Sequence, residues 1–210
     1  MRLSILSESS ADEAAIKILV EEILKSGTQT VLSPRLRPGG WPHVIHVLPS
    51  VLKFLHYATD AEALVVIVDS DDSPVHQTRH DEIDGGDRQC RLCQVRQVVD
   101  SVKSGLTLVP SREIIKTAIG LAVPAIEAWY RCGLDPHVNE ATWTRKLNSE
   151  RITYTRKSLK KDVYGTERPS IEIETTRATE AALRLVNNIS LLEQLFPNGF
   201  GSFARDVRGW

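Results

Sequence analysis

The chain has 210 residues, of which 41% are hydrophobic, and a formal net charge of −1. That apolar share supports an ordinary globular core of one domain, or one domain with a small appendage, and excludes a disordered chain. The near-zero charge excludes a global basic field, and with no run of about 18 apolar residues the sequence predicts no membrane partner.

Residues 2–7 read as a first strand, and Ser10 with Glu13 has capping-box spacing ahead of a helix from about Ala11 to Lys25. Ala15, Ile16, Leu19, Val20, Ile23 and Leu24 recur at helical spacing, and Gly27 is the expected stop. Acidic residues follow the short apolar start at once, which is unlike a secretory signal, so the expected compartment is the cytoplasm. Val31 and Leu32 are read as the start of a second strand, and residues 37–40 as a loop. Val44, Val47, Leu48, Val51, Leu52 and Leu55 mark a helix, with Pro49 a kink or restart inside it.

The run Ala63–Val68 is β-branched, continuous and bounded by charge, which suits a central parallel strand covered on both faces. Asp69, Ser70, Asp71 and Asp72 follow it directly, and residues 73–89 read as a long polar loop. A helix is expected from Arg91 to Lys103, a strand over Leu106–Val109, and a helix with Pro124 in its first turn running through Glu127 and Trp129. Residues 140–163 read as two short helices and 175–195 as a longer amphipathic one. Strand–helix alternation through residue 109 predicts an α/β fold with a mostly parallel sheet flanked by helices. The expected division is an α/β core over 1–136 and a helical C-terminal part over 137–210 packed on it.

In an open parallel sheet, ligands bind beyond the carboxyl ends of the strands. Here the first strand runs into Glu8 and the central strand into Asp69, with Asp71 turned to the same side if the backbone stays extended. Converging carboxylates repel unless a cation sits among them, and oxygen donors of this kind suit Mg2+ or Mn2+. One or two such ions polarise a phosphodiester and orient a water. Taken alone, Asp-x-Asp after a strand is more often a turn, and Glu8 alone can serve a helix N-terminus.

Glu8 followed by a small residue and a helix, and later an apolar strand ending in Asp69-Ser-Asp71, resembles the TOPRIM pattern of topoisomerases, primases and OLD-type nucleases. Glu8-Ser-Ser-Ala-Asp12, Asp69-Ser-Asp71, Ile126-Glu-Ala-Trp129, the stretch Lys157–Tyr164 and the tail Phe196–Phe203 are similar, in that order, to a family of small TOPRIM-like proteins. The resemblance implies a TOPRIM-like fold in which Glu8 is general base or metal ligand. It implies Asp69 and Asp71 as ligands, Glu127 as a further acid near the metal, and Asp12 at the second acidic position. It also implies an AAA/ABC-type ATPase partner and a role in phage defence. Ser9 stands where the family has glycine, and the residues after Trp129 depart from the family's ending.

Cysteines number three, an odd count that points to thiols or metal ligands rather than a disulfide framework. His76, His80, Cys90 and Cys93 supply four zinc-type donors. Their order is unlike the usual finger, and cysteines on a helix fit packing, so no zinc is expected there. Cys132, Trp129 and Trp143 are read as packing residues. Residues 145–168 hold eight basic side chains against three acidic ones, a surplus that suits either a solvated face or a grip on a nucleic-acid backbone.

The expected activity is therefore metal-dependent hydrolysis of phosphodiester bonds in DNA or RNA. Glu8, Asp69 and Asp71 would be catalytic, with a lysine among Lys157, Lys160 and Lys161 steadying the phosphorane charge. The alternative is a non-catalytic adaptor that binds an ATPase or nucleic acid and keeps its acids for structure.

Overall fold

A computed structural model describes residues 1–32, 40–83 and 86–210. Four parallel strands form one sheet: β1 (Arg2–Ser7), β2 (Gln29–Thr30), β3 (Ala63–Asp69) and β4 (Lys116–Ala122), in the order β2-β1-β3-β4. The fold is α/β, as the strand–helix alternation predicts. β3 is buried at every position until Asp69, because helices cover both faces of a parallel sheet.

The chain leaves β1 in one direction to reach β2 and then returns past it to reach β3. The order of connections therefore reverses between β1 and β3, and that crevice is where an open α/β sheet binds ligands. Glu8 and Asp69 stand at its two lips.

Helix α1 (Glu13–Leu24) joins β1 to β2, and α2 (Trp41–Ala58) joins β2 to β3. The short α3 (Thr78–Asp81) and α4 (Arg91–Ser104) join β3 to β4. α2 and α4 pack against each other and against the sheet. The C-terminal third is helical: α5 (Ile126–Tyr130), α6 (Glu140–Leu147), α7 (Arg156–Tyr164), α8 (Ile171–Leu185), α9 (Ile189–Leu195) and α10 (Phe200–Arg208). α8 lies on α1 and α10 lies on β4, so this part shares one continuous hydrophobic core with the sheet. Trp129, Phe200 and Phe203 form its aromatic centre, with ring centroids 5.1 to 6.4 Å apart. Trp143 and Cys132 are buried too, as a packing role requires.

Several elements differ from expectation. Leu106–Val109 is not a strand; Leu108 is 75% exposed, and the segment is tied down by Thr107, whose amide donates to the Tyr57 hydroxyl. The fourth strand is instead Lys116–Ala122, whose alanines and Gly120 carry little β-branched signal. Small residues are needed there, because a Cβ on Gly120 would stand 3.1 Å from the Trp129 ring. The expected capping box of Ser10 and Glu13 is absent. Ser9 caps a 3-10 turn over Ser10–Asp12, and α1 starts after it. The second strand is Gln29–Thr30 rather than Val31 and Leu32, and the loop over 73–89 contains α3. Most of the loop expected over 37–40 lies outside the described residues. α2 runs through Pro49 without restarting. α5 begins at Ile126, two residues beyond Pro124, and the amphipathic stretch after 170 is two helices, α8 and α9.

Gly199 precedes α10 where that helix meets the sheet. Its amide donates to Glu140 Oε1 at 2.6 Å, and a Cβ there would overlap the carbonyl of Leu121. Gly199→Ala is expected to cost about 1–3 kcal/mol or more through forced overlap with backbone. Gly27→Ala meets no atom within 4 Å and should change stability by less than about 1 kcal/mol. Urea unfolding of the two variants checks the contrast.

Candidate functional site

The β1/β3 crevice opens into a cavity of about 210 Å³ lined by Glu8, Asp12, Asp69, Glu127, Lys160 and Glu174, with Tyr164 at its wall. Each acid arrives by a different route. Glu8 and Asp69 end neighbouring parallel strands. Asp12 is turned inward by the 3-10 turn that Ser9 caps. Glu127 sits in the first turn of α5, Glu174 in the first turn of α8, and Lys160 on α7.

The hydrogen bonds hold this geometry. Glu8 Oε1 accepts from the Asp69 amide at 2.9 Å, and Asp69 Oδ1 accepts from the Ile126 amide at 3.0 Å. Asp12 Oδ1 accepts from the Tyr130 hydroxyl at 2.8 Å. Glu127 is 3% exposed, and its Oε2 is buried without a hydrogen-bond partner. Lys160 Nζ stands 3.9 Å from Glu127 and 4.0 Å from Glu174.

Burial and mutual repulsion disfavour the ionised forms. Asp69 is pushed well above the carboxylate range by burial first, then by Glu127, Glu8 and Asp12. Burial raises Glu8 and Glu127 as well. Asp12 is raised to about 7 by burial, despite the Tyr130 hydrogen bond. Lys160 lines the cavity with five carboxylates, and the Arg91 guanidinium lies 3.7 Å from one of them, Glu8. The acids offer oxygen donors, with one buried oxygen unpartnered, but among the described residues they do not bring three ligand atoms within 4.8 Å of one another.

Of the residues expected at the site, Glu8, Asp12, Asp69, Glu127 and Lys160 line this cavity; Asp71, Lys157 and Lys161 do not. The backbone at Asp71 is not extended but left-handed, with φ of 51°. That conformation swings its carboxylate to Arg91 at 2.8 Å and to Arg156. The Asp71 carbonyl accepts from the Trp143 indole at 3.1 Å. Lys157 and Lys161 are exposed on α7. Within the basic stretch, Lys146 is also spent on an internal contact, 2.7 Å from Asp72. Ser9, in the family's glycine position, has φ of −131°, a conformation open to any residue, and its hydroxyl lies 3.4 Å from Glu174.

No sequence pattern singles out Arg91, Tyr130 or Glu174, and Tyr164 enters only as the end of the stretch Lys157–Tyr164. Arg91 opens α4, stacks over Trp41 at 5.1 Å, donates to the Asp69 carbonyl at 2.7 Å and lies 3.7 Å from Glu8. Only its place after Cys90 could have drawn attention to it; Glu174 has no local signal, because α8 reaches the cavity by tertiary packing alone.

A second cluster lies in the β3–α4 connection. His76, His80, Cys90 and Cys93 are all buried, with one donor atom from each within 4.8 Å of the others. This cluster can hold a metal ion. Thiolate and imidazole donors do not make a magnesium site, which takes oxygen. Cys90, the N-cap of α4, and Cys93, in its first turn, are both buried in the core, as a packing role requires, and both also face His76.

Comparison of the chain with protein-family models, with curated proteins and with solved structures finds no match. The TOPRIM likeness therefore rests on the residues themselves.

The raised acids tie stability to pH. A folded-state Asp12 near 7, against an ordinary 3.8, binds its proton more tightly folded than unfolded. Stability must then fall as pH rises from about 4 to about 7 and level off above. Between pH 5.5 and 8, metal-free protein should lose melting temperature, and Asp12→Asn should narrow that loss by raising the value at pH 8. Thermal unfolding in chelator at the two pH values checks this.

Proposed function

We propose that this chain is a metal-dependent nuclease that hydrolyses phosphodiester bonds in DNA or RNA with Mg2+ or Mn2+. The observation that carries the reading is the meeting of Glu8 and Asp69 at the sheet's reversal point, facing the unpartnered buried oxygen of Glu127. Glu8, Asp69, Asp12 and Glu127 are the residues that would hold the metal. When bound, it would neutralise developing charge on the phosphoryl oxygens and lower the pKa of a bound water. Glu8, 19% exposed at the mouth of the crevice, would serve either as a ligand or as the base that accepts a proton from the attacking water. Lys160 is the lysine of its group that lines the cavity, and it would donate to a non-bridging phosphate oxygen. Exposed Lys157 and Lys161, on the same helix, supply backbone attraction beside the cavity.

The adaptor reading has one observation in its favour. Asp71, the second acid of the Asp-x-Asp pair, is held by two arginines. In that reading the chain docks on an ATPase or nucleic acid, and Lys160 with Arg91 offsets the acids.

A cleavage panel of single- and double-stranded DNA and RNA with Mg2+ or Mn2+ separates the two. The nuclease reading predicts metal-dependent products that Asp69→Asn reduces by at least about 100-fold, an effect of the size expected for a lost charge-stabilising group. No cleavage of any substrate with either metal supports the adaptor. Lys157→Gln with Lys161→Gln should weaken binding and flatten its salt dependence, whereas Lys160→Gln should lower the turnover rate with binding nearly intact. Filter binding across a salt series and single-turnover kinetics read the difference.

A further inference from the structure

We infer that His76, His80, Cys90 and Cys93 bind one structural Zn2+ that pins the β3–α4 connection. Zinc–sulfur bonds of about 2.3 Å and zinc–nitrogen bonds of about 2.0–2.1 Å place tetrahedral N and S donors about 3.6 Å apart. His76 Nδ1 lies 3.7 Å from Cys90 Sγ and 3.5 Å from Cys93 Sγ. Those separations suit donors around a shared ion.

The surroundings of the two histidines support the same reading. A zinc-bound imidazole usually presents its other nitrogen to a carboxylate or carbonyl, which fixes the tautomer. His76 Nε2 lies 3.4 Å from Asp81, a carboxylate that Arg96 holds at 3.2 Å while also lying 3.3 Å from that ring nitrogen. His80 Nε2 lies 3.6 Å from Asp87. His80 Nδ1 is buried with no partner, on a side chain 3% exposed. His76 thus directs Nδ1 at both thiols, each ring has Nε2 near an acid, and His80 Nδ1 is left free of any protein partner. Asp87 also caps the approach to α4, with Oδ1 accepting from the Gln89 amide at 2.7 Å and the Cys90 amide at 3.3 Å.

Backbone conformation closes the site. Gly86 has φ of 74°, and a Cβ on it would stand 2.9 Å from Cys93 Cβ and 3.2 Å from Sγ. A side chain is therefore barred where the loop passes over the thiol. Two thiolates and two neutral imidazoles balance the charge of one Zn2+, so the closed cluster is neutral. Four protein donors fill the tetrahedron, which makes the site structural rather than catalytic. It is separate from the oxygen-lined cavity, and the inference does not depend on nuclease activity.

The test is metal analysis of the whole chain, purified under reducing conditions and reconstituted with Zn2+, with Co2+ as a spectroscopic probe. Close to one zinc per chain, and cobalt thiolate charge-transfer absorption displaced by zinc, are expected. Cys90→Ser and Cys93→Ser should abolish both, while Cys132→Ser and Asp69→Asn retain them. Asp87→Asn keeps all four donors and should weaken zinc about 10–100-fold against a competing chelator. Folded wild-type protein that takes up neither metal would overturn the inference, and so would equal loss in Cys132→Ser. If Cys90→Ser fails to fold, the wild-type cobalt spectrum and the Asp87→Asn affinity still decide.

Discussion

The carboxyl edge of two neighbouring parallel strands concentrates negative charge, and the surrounding structure is arranged around that constraint. Glu8 and Asp69 end β1 and β3 at the point where the sheet's connections reverse. Asp12, Glu127 and Glu174 are brought to the same cavity by a 3-10 turn and two helix starts. Burial raises the protonation tendency of several of these groups at once. Such an arrangement costs folding free energy at neutral pH unless positive charge enters, and Lys160 supplies one unit of it.

Arg91 links this edge to the rest of the molecule. It lies against Glu8, pairs with Asp71 and donates to the Asp69 carbonyl while its guanidinium rests on Trp41 at the start of α2. Its backbone follows Cys90, the N-cap of α4 and one of the four clustered donors. A metal ion bound there would fix the start of α4 and, through it, the arginine that orients two acids of the crevice. The two clusters are thus chemically different, one hard and oxygen-lined, the other soft and closed, yet joined through one peptide bond. Among the described residues, no helix is long and apolar enough to cross a membrane.

Much of this was legible from local pattern. The run Ala63–Val68 declares a buried parallel strand, and acids directly after two strands point to the crevice. The ordered resemblance points to Asp12 and Glu127, which both line the cavity, while the basic stretch leaves open which of Lys157, Lys160 and Lys161 does, and Lys160 is the one. What failed has physical reasons. β4 is built of small residues because Trp129 and Phe203 fill the space over Gly120, so its β signal is weak. Asp71 was read with an extended backbone, but a left-handed residue turns its side chain to arginines. Glu174 is 105 positions from Asp69 in the chain and reaches the cavity only because α8 packs on α1. The ligand order of His76, His80, Cys90 and Cys93 is unlike that of the usual finger, yet the folded loop brings one donor atom of each within 4.8 Å of the others.

In the proposed function, the oxygen-lined crevice takes a hard divalent cation. A crystal structure grown with Mn2+, with anomalous scattering recorded at the manganese edge, tests it most directly. Manganese density is expected between Glu8, Asp69 and Glu127, with Lys160 displaced from Glu127. A crevice without manganese, its carboxylates still joined to Lys160 and to the backbone amides, would contradict it.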